Sequence, residues 1–196
     1  NDGFASNWLF TQLKEGDQIN VSQAQGQFVL PYQPAGKLLF LSAGSGITPM
    51  MSMLRYLSKS GNQSDIVFLN YSRSEEDIIF RKELVQLTDD SQSLSTLFVT
   101  EQDKNGLKQD RINAKQLAEL VPDLNEREIY MCGPQPFMKA SMTIFDQLDV
   151  LPTRIHMENF SADLSAATAL NYSAQLKFSS LEHGIASSAS KTILQE

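Results

Sequence analysis

Two hydrophobic patterns divide this chain. Between positions 37 and 133, short near-continuous apolar runs, "KLLFLSA", "DIVFLNY", "STLFVTE" and "REIYMCG", alternate with helical or loop segments. Apolar runs this short, bounded by polar turns, read as strands buried on both faces. Strands alternating with helices predict βαβ units on a parallel sheet, an α/β fold. Helix starts are legible at Thr48 with Pro49 in the first helical position, at Ser74 with Asp77 three residues on, and at Asn113 before "AKQLAEL". Gly61 is expected to end the first helix.

The flanks differ. "DQINVSQAQGQFVLP" alternates and carries a glycine at 26, which predicts two short strands and a turn before "YQPAG" breaks the pattern. After Phe160, "SADLSAATALNYSA" has the small, polar composition of a linker. "AQLKFSSLEHGIASSAS" reads as a hairpin turning at His183-Gly184.

Composition narrows the function. A net charge of −7 without a Lys/Arg block argues against nucleic acid or an anionic membrane as partner. No apolar run approaches the roughly 20 residues of a membrane span. The single cysteine, Cys132, excludes an internal disulfide and a four-cysteine cluster, and points to a reducing compartment, most simply the cytoplasm.

Three strand ends carry candidate chemistry. "SAGSGITP" joins a strand to a helix through Gly44 and Gly46, which bares backbone N–H groups at the positive end of a helix dipole and makes a seat for a phosphate. An ordinary tight turn has the same glycines, and Pro49 stands where a G-x-G-x-x-G motif has its third. In "NYSRSEEDIIFRKEL", Ser72 and Arg73 follow the next strand and would face the same crevice. Arg73 can take a 2′-phosphate there or pair with Glu75 or Glu76, and Phe80 can cover an adenine or join the core. In "EIYMCGPQPFMKASM", Cys132 ends a strand and is expected at the crevice instead of in the core, where a single cysteine is more usually buried and inert, with Gly133 allowing a close turn under a planar ligand.

Together "GSGITPMMSML", "YSRSEEDIIFRKEL", "YMCGPQPFM" and "IHMENF", in this order and spacing, resemble the pyridine-nucleotide half of the ferredoxin-NADP reductase superfamily. The likeness is to the oxygenase-reductase and hybrid-cluster-protein-reductase type, built from a flavin barrel, a nucleotide domain and a [2Fe–2S] ferredoxin domain. It implies the end of a FAD-binding β-barrel over residues 1–35, an NAD(P)-binding domain over 36–160, a linker over 161–172 and the beginning of a ferredoxin-like domain over 173–196.

By that resemblance hydride passes from NAD(P)H to FAD and electrons then pass singly to a [2Fe–2S] centre. The final acceptor is the ferredoxin-like domain in cis or a redox protein of the oxygenase or hybrid-cluster kind. Gly3, Ala5, Ser6 and Asn7 would lie on the flavin pyrophosphate. Gly44, Ser45, Gly46, Ile47, Thr48 and Pro49 would hold the dinucleotide pyrophosphate. Ser72, Arg73, Phe80 and Arg81 would serve the adenosine end. Cys132, Gly133 and Pro134 would lie against the nicotinamide, with Glu158 and Phe160 on the flavin side and Cys132 and Glu158 as the catalytic candidates. The family's Arg-x-Tyr-Ser flavin segment and cluster cysteines are absent, which suggests a sequence shortened at both ends. A dinucleotide-binding module without chemistry and a soluble NAD(P)-dependent dehydrogenase stay open as alternatives, as does the choice of NADH or NADPH.

Overall fold

The computed structural model describes residues 4–19, 26–101, 112–160, 173–176 and 185–188. The chain divides into two compact units, one made of residues 26–160 and one of residues 1–25 with 161–196.

The larger unit is a five-stranded, fully parallel sheet. Its strands are β1 (Lys37–Ala43), β2 (Asp65–Ser72), β3 (Leu94–Thr100), β4 (Glu128–Cys132) and β5 (Ile155–Glu158), in the order β3-β2-β1-β4-β5. All four apolar runs are therefore strands. Helices α2 (Ile47–Lys59) and α3 (Arg81–Asp89) pack on one face, and α4 (Ala114–Leu120) and α5 (Gln135–Gln147) on the other. This double cover is why β1 and β2 are apolar at nearly every position: Leu38 and Phe40 join the α2 side, Leu39 and Leu41 the α4/α5 side. The chain moves outward from β1 to β3 and then returns to β4 beside β1, so the order reverses between β1 and β4.

Local signals were realised unevenly. Gly61 adopts φ 66° just past α2, and Asn62 N–H donates back to Leu57 C=O at 3.2 Å, closing the helix end. Asn113 caps α4, its Oδ1 accepting from Gln116 N–H at 2.9 Å. The other two starts need correction. α2 begins at Ile47, preceded by a 3₁₀ turn at Gly44–Gly46, so Pro49 is the third helical residue, where its missing N–H still costs no bond. Thr48 caps nothing, since its hydroxyl donates to Ser45 C=O at 3.0 Å. Ser74 and Asp77 form only a turn, and α3 starts at Arg81 after Phe80, which takes φ 59°.

Residues 26–31 are not a strand either. Phe28 and Leu30 pack against the α2-side core while Val29 is exposed, so their alternation records facing without ladder pairing. The first half of that expected hairpin, residues 20–25, lies outside the described residues.

The smaller unit contains helix α1 (Phe4–Thr11) and an antiparallel pair, β6 (Ser173–Leu176) with β7 (Ile185–Ser188). The late hairpin is thus present as paired strands; its turn at His183-Gly184 lies outside the described residues. Among the described residues no helix is long and apolar enough to cross a membrane.

Candidate functional site

Because the strands run parallel, the β1, β2 and β4 carboxyl ends emerge on one edge, at the point where strand order reverses. That is where open α/β sheets bind ligands. A cleft of about 750 Å³ opens there, lined by residues that include Gly44, Ser72, Arg73 and Pro134. Tyr71 and Phe137 wall it with rings 5.4 Å apart, and Asp77 and Glu101 add carboxylates. Tyr71 donates its hydroxyl to Gln116 Oε1 at 3.0 Å, and burial pushes its ionisation well above the ordinary range.

The glycines divide the work. Gly44 has φ +55° with open space where a side chain would stand, so its exposed backbone can meet a ligand. Gly46 is different: a Cβ there would sit 2.2 Å from the Cys132 carbonyl oxygen, so its bareness lets α2 dock on the end of β4. Gly133 is tight as well, its virtual Cβ 2.9 Å from Phe137 Cδ1 and 3.1 Å from Ala43 Cβ.

Arg73 is exposed and makes no ion pair among the described residues, so the expected alternative of pairing with Glu75 or Glu76 is not realised. It is a guanidinium available at the cleft. Ser45 is exposed on the same turn, and Gly133 precedes Pro134.

The remaining candidates stand elsewhere. Ile47 is buried at the base of α2, and Pro49 lines a separate apolar groove of about 550 Å³ with Phe28, Tyr32 and Tyr56. Phe80 lies under the Arg55 guanidinium, 5.0 Å from its ring centre, while Arg55 forms two 2.7 Å bonds to Glu83. Arg81 is drawn over Phe98, 5.8 Å away. Both side chains thus tie α3 to its neighbours. Ala5, Ser6 and Asn7 fall in the first turn of α1, and Gly3 lies outside the described residues.

Cys132 requires a correction. Its thiol is buried in the α2-side core, not open to the crevice, because Gly46 and the start of α2 lie directly on this strand end. Burial first, then the Glu158 charge, pushes the thiol up to about 11. Glu158 is its register partner on β5, so the two catalytic candidates are adjacent across strands, with Phe160 exposed two residues on. His156 bonds Glu128 Oε2 at 2.9 Å and stacks on Tyr130, a structural position.

Two clusters escaped the sequence reading. Ser42 and Asn70 are hydrogen-bonded beneath the cleft and reach the sequence candidate Ser72 at its wall, and a polar residue interrupting each apolar strand was the available signal. At the opposite sheet edge, buried Arg127 bonds Asp123, Asp65 and the Leu38 carbonyl, and Lys37 joins through Asp123 and Glu126. No periodicity announces that cluster. Among the described residues no group of metal-binding side chains occurs.

A parallel sheet with a glycine turn, an exposed arginine and a cleft at its switch point defines a dinucleotide-binding α/β domain. Residues 40–143, more than half of the chain, match the family model of the oxidoreductase NAD-binding domain, and the chain belongs to that family, within the ferredoxin-NADP reductase superfamily. It is 37% identical over 164 residues to the glycine betaine monooxygenase reductase subunit of Pseudomonas aeruginosa, covering 81% of this chain and 44% of that protein. It is 33% identical over 183 residues to the NADH oxidoreductase HCR of Escherichia coli, covering 93% and 52%. The chain therefore spans about half the length of these relatives. Among solved structures, the FAD/NAD-binding domain of Vibrio cholerae nitric oxide dioxygenase superposes with a TM-score of 0.68 at 28% identity, over 79% of this chain and 63% of that one.

Proposed function

We propose that this chain supplies the nucleotide-binding part of an NAD(P)H-dependent flavin reductase that passes electrons to a redox protein of the oxygenase kind. The observation that carries this reading is the convergence of Gly44, Ser72, Arg73 and Pro134 on one cleft at the switch point of the sheet. When bound, the nicotinamide supplies a hydride and FAD divides the electron pair into single electrons.

The residues present fit a dinucleotide. The left-handed turn at Gly44 leaves backbone N–H groups uncovered toward a pyrophosphate, at the start of α2. Arg73 provides a charge-assisted donor at the adenosine end. The Gly46 contact with the end of β4 fixes the spacing between this turn and Gly133-Pro134, and so the seat of the ring that must react. Cys132 supports that seat from below, and Glu158 borders it from β5. The first turn of α1 offers N–H groups without intrahelical acceptors, which fits a flavin pyrophosphate. A [2Fe–2S] centre does not fit these residues, because it takes four protein ligands and the one cysteine here is in the core.

Titration calorimetry of NADH and NADPH on the chain and on Arg73→Ala tests the reading. Loss of the guanidinium is expected to weaken the preferred dinucleotide by about 1.5–3 kcal/mol. Unchanged affinity would remove Arg73 from the site, and no binding by the parent chain would remove the site itself.

A further inference from the structure

We infer that Arg55, on α2 and outside the cleft, is a positioning residue for dinucleotide binding: it latches the β2–α3 loop, and Arg73 with it, to the helix that starts at the glycine turn. The inference rests on the dinucleotide reading above. Residues 73–80 connect β2 to α3, and Arg73 and Asp77 of this loop line the cleft. The sheet fixes one end, where Glu101 N–H donates to Ser72 C=O at 3.0 Å. The other end is Phe80, at φ 59° and ψ 18°. A residue with a Cβ keeps this left-handed conformation only where its surroundings impose it.

Arg55 imposes it. Its guanidinium lies over the Phe80 ring, 5.0 Å from the centre, while its Nε and Nη2 donate to the two Glu83 carboxylate oxygens at 2.7 Å each. One side chain thereby holds both the residue before α3 and the first turn of α3. Between its fixed ends the loop is braced: Asp77 N–H donates to Ser74 C=O and Ile78 N–H to Glu75 C=O, both at 3.3 Å, Ser74 Oγ donates to Asp77 Oδ2 at 2.9 Å, and Ile78 is buried. A loop so braced passes a change of φ at Phe80 along to Arg73. Because α2 begins at the Gly44–Gly46 turn, Arg55 ties the phosphate seat and the Arg73 guanidinium to the same helix. An Arg–Glu pair that is 43% and 38% exposed adds little to global stability. Its effect falls on the ligand that spans the two grips, which binds best when their spacing is set beforehand.

The test combines calorimetric titration of ADP and NADH into the 196-residue chain with backbone amide NMR of the nucleotide-free protein. Arg55→Ala is expected to weaken both nucleotides by about fivefold, while the urea midpoint stays close to that of the parent. In the free variant the amides of Arg73 and Ser74 should shift, although they lie at the far end of the loop from Phe80, and those of Gly44 and Ser45 should not. Arg55→Glu and Glu83→Arg should each weaken binding at least as much, and the two together should return affinity to within about twofold of the parent, because the ion pair is restored with its charges exchanged. A pair that only fastens α3 would lower the urea midpoint and leave both affinities and the Arg73 amide in place. Where circular dichroism shows Arg55→Ala unfolded, Arg55→Lys, which keeps the charge and loses the fork, is measured in its stead with the same expected direction. Affinities within about twofold of the parent in a folded Arg55 variant, or no recovery in the exchanged pair, would overturn the inference and leave the dinucleotide site standing. Failure of the parent chain to bind either nucleotide would overturn the dinucleotide reading and this inference with it.

Discussion

A Cβ on Gly46 and a Cβ on Gly44 meet opposite fates, although the two residues are neighbours in one motif. At Gly46 the new atom strikes rigid backbone of β4, so Gly46→Ala should cost about 1–3 kcal/mol in urea unfolding. At Gly44 there is room, and Gly44→Ala should cost about 1 kcal/mol from its positive φ alone. Equal losses would show that the turn is not wedged against β4. Cys132 is testable at the same scale. With its ionisation raised to about 11 by burial and by Glu158, the thiol should resist iodoacetamide at pH 8 in the native chain and react promptly in urea. Rapid native labelling would place it at the crevice after all.

At the scale of elements, the Arg127 cluster joins β1, β2 and the approach to β4 on the side away from the cleft. Arg127→Ala strands carboxylates around a buried position and should cost about 3 kcal/mol, the low end for a broken buried pair because Asp65 is half-exposed. The cluster also has a pH signature. Hydrogen bonds from Arg127, then Lys37, hold the Asp123 carboxyl at about 2, below its ordinary 3.8. The stability it contributes is therefore full above about pH 4 and is lost as pH falls toward 2. In Arg127→Ala the loss of stability between about pH 4 and 2 should become shallower, the variant and parent curves converging as pH falls, and an unchanged slope would dismiss the cluster. The strands of the sheet were legible because helices cover both faces and leave little room for polar residues. The start of α3 was not, because Phe80 takes a left-handed conformation secured by Arg55, a contact 25 positions away in sequence. Residues 26–31 misled because alternation reports which side chains face a core and is silent on whether a neighbouring strand is present. Cys132 misled similarly: its place at a strand end was readable, but the helix start lying on it depends on Gly46, and that contact exists only after folding.

For the whole molecule, the central claim is that the edge where β1, β2 and β4 end is a dinucleotide site. The apolar groove around Phe28, Tyr32 and Tyr56 is a second concavity of similar size, and a nicotinamide or adenine ring could stack there instead. Backbone amide mapping by NMR separates the two most directly. On titrating NADH into the isotopically labelled chain, the account predicts the largest shifts at Gly44, Ser45, Ser72, Arg73 and Gly133, with the amides of Val29, Tyr32 and Tyr56 little moved. Shifts concentrated at Val29, Tyr32 and Tyr56, or no shifts at millimolar nucleotide, would contradict it.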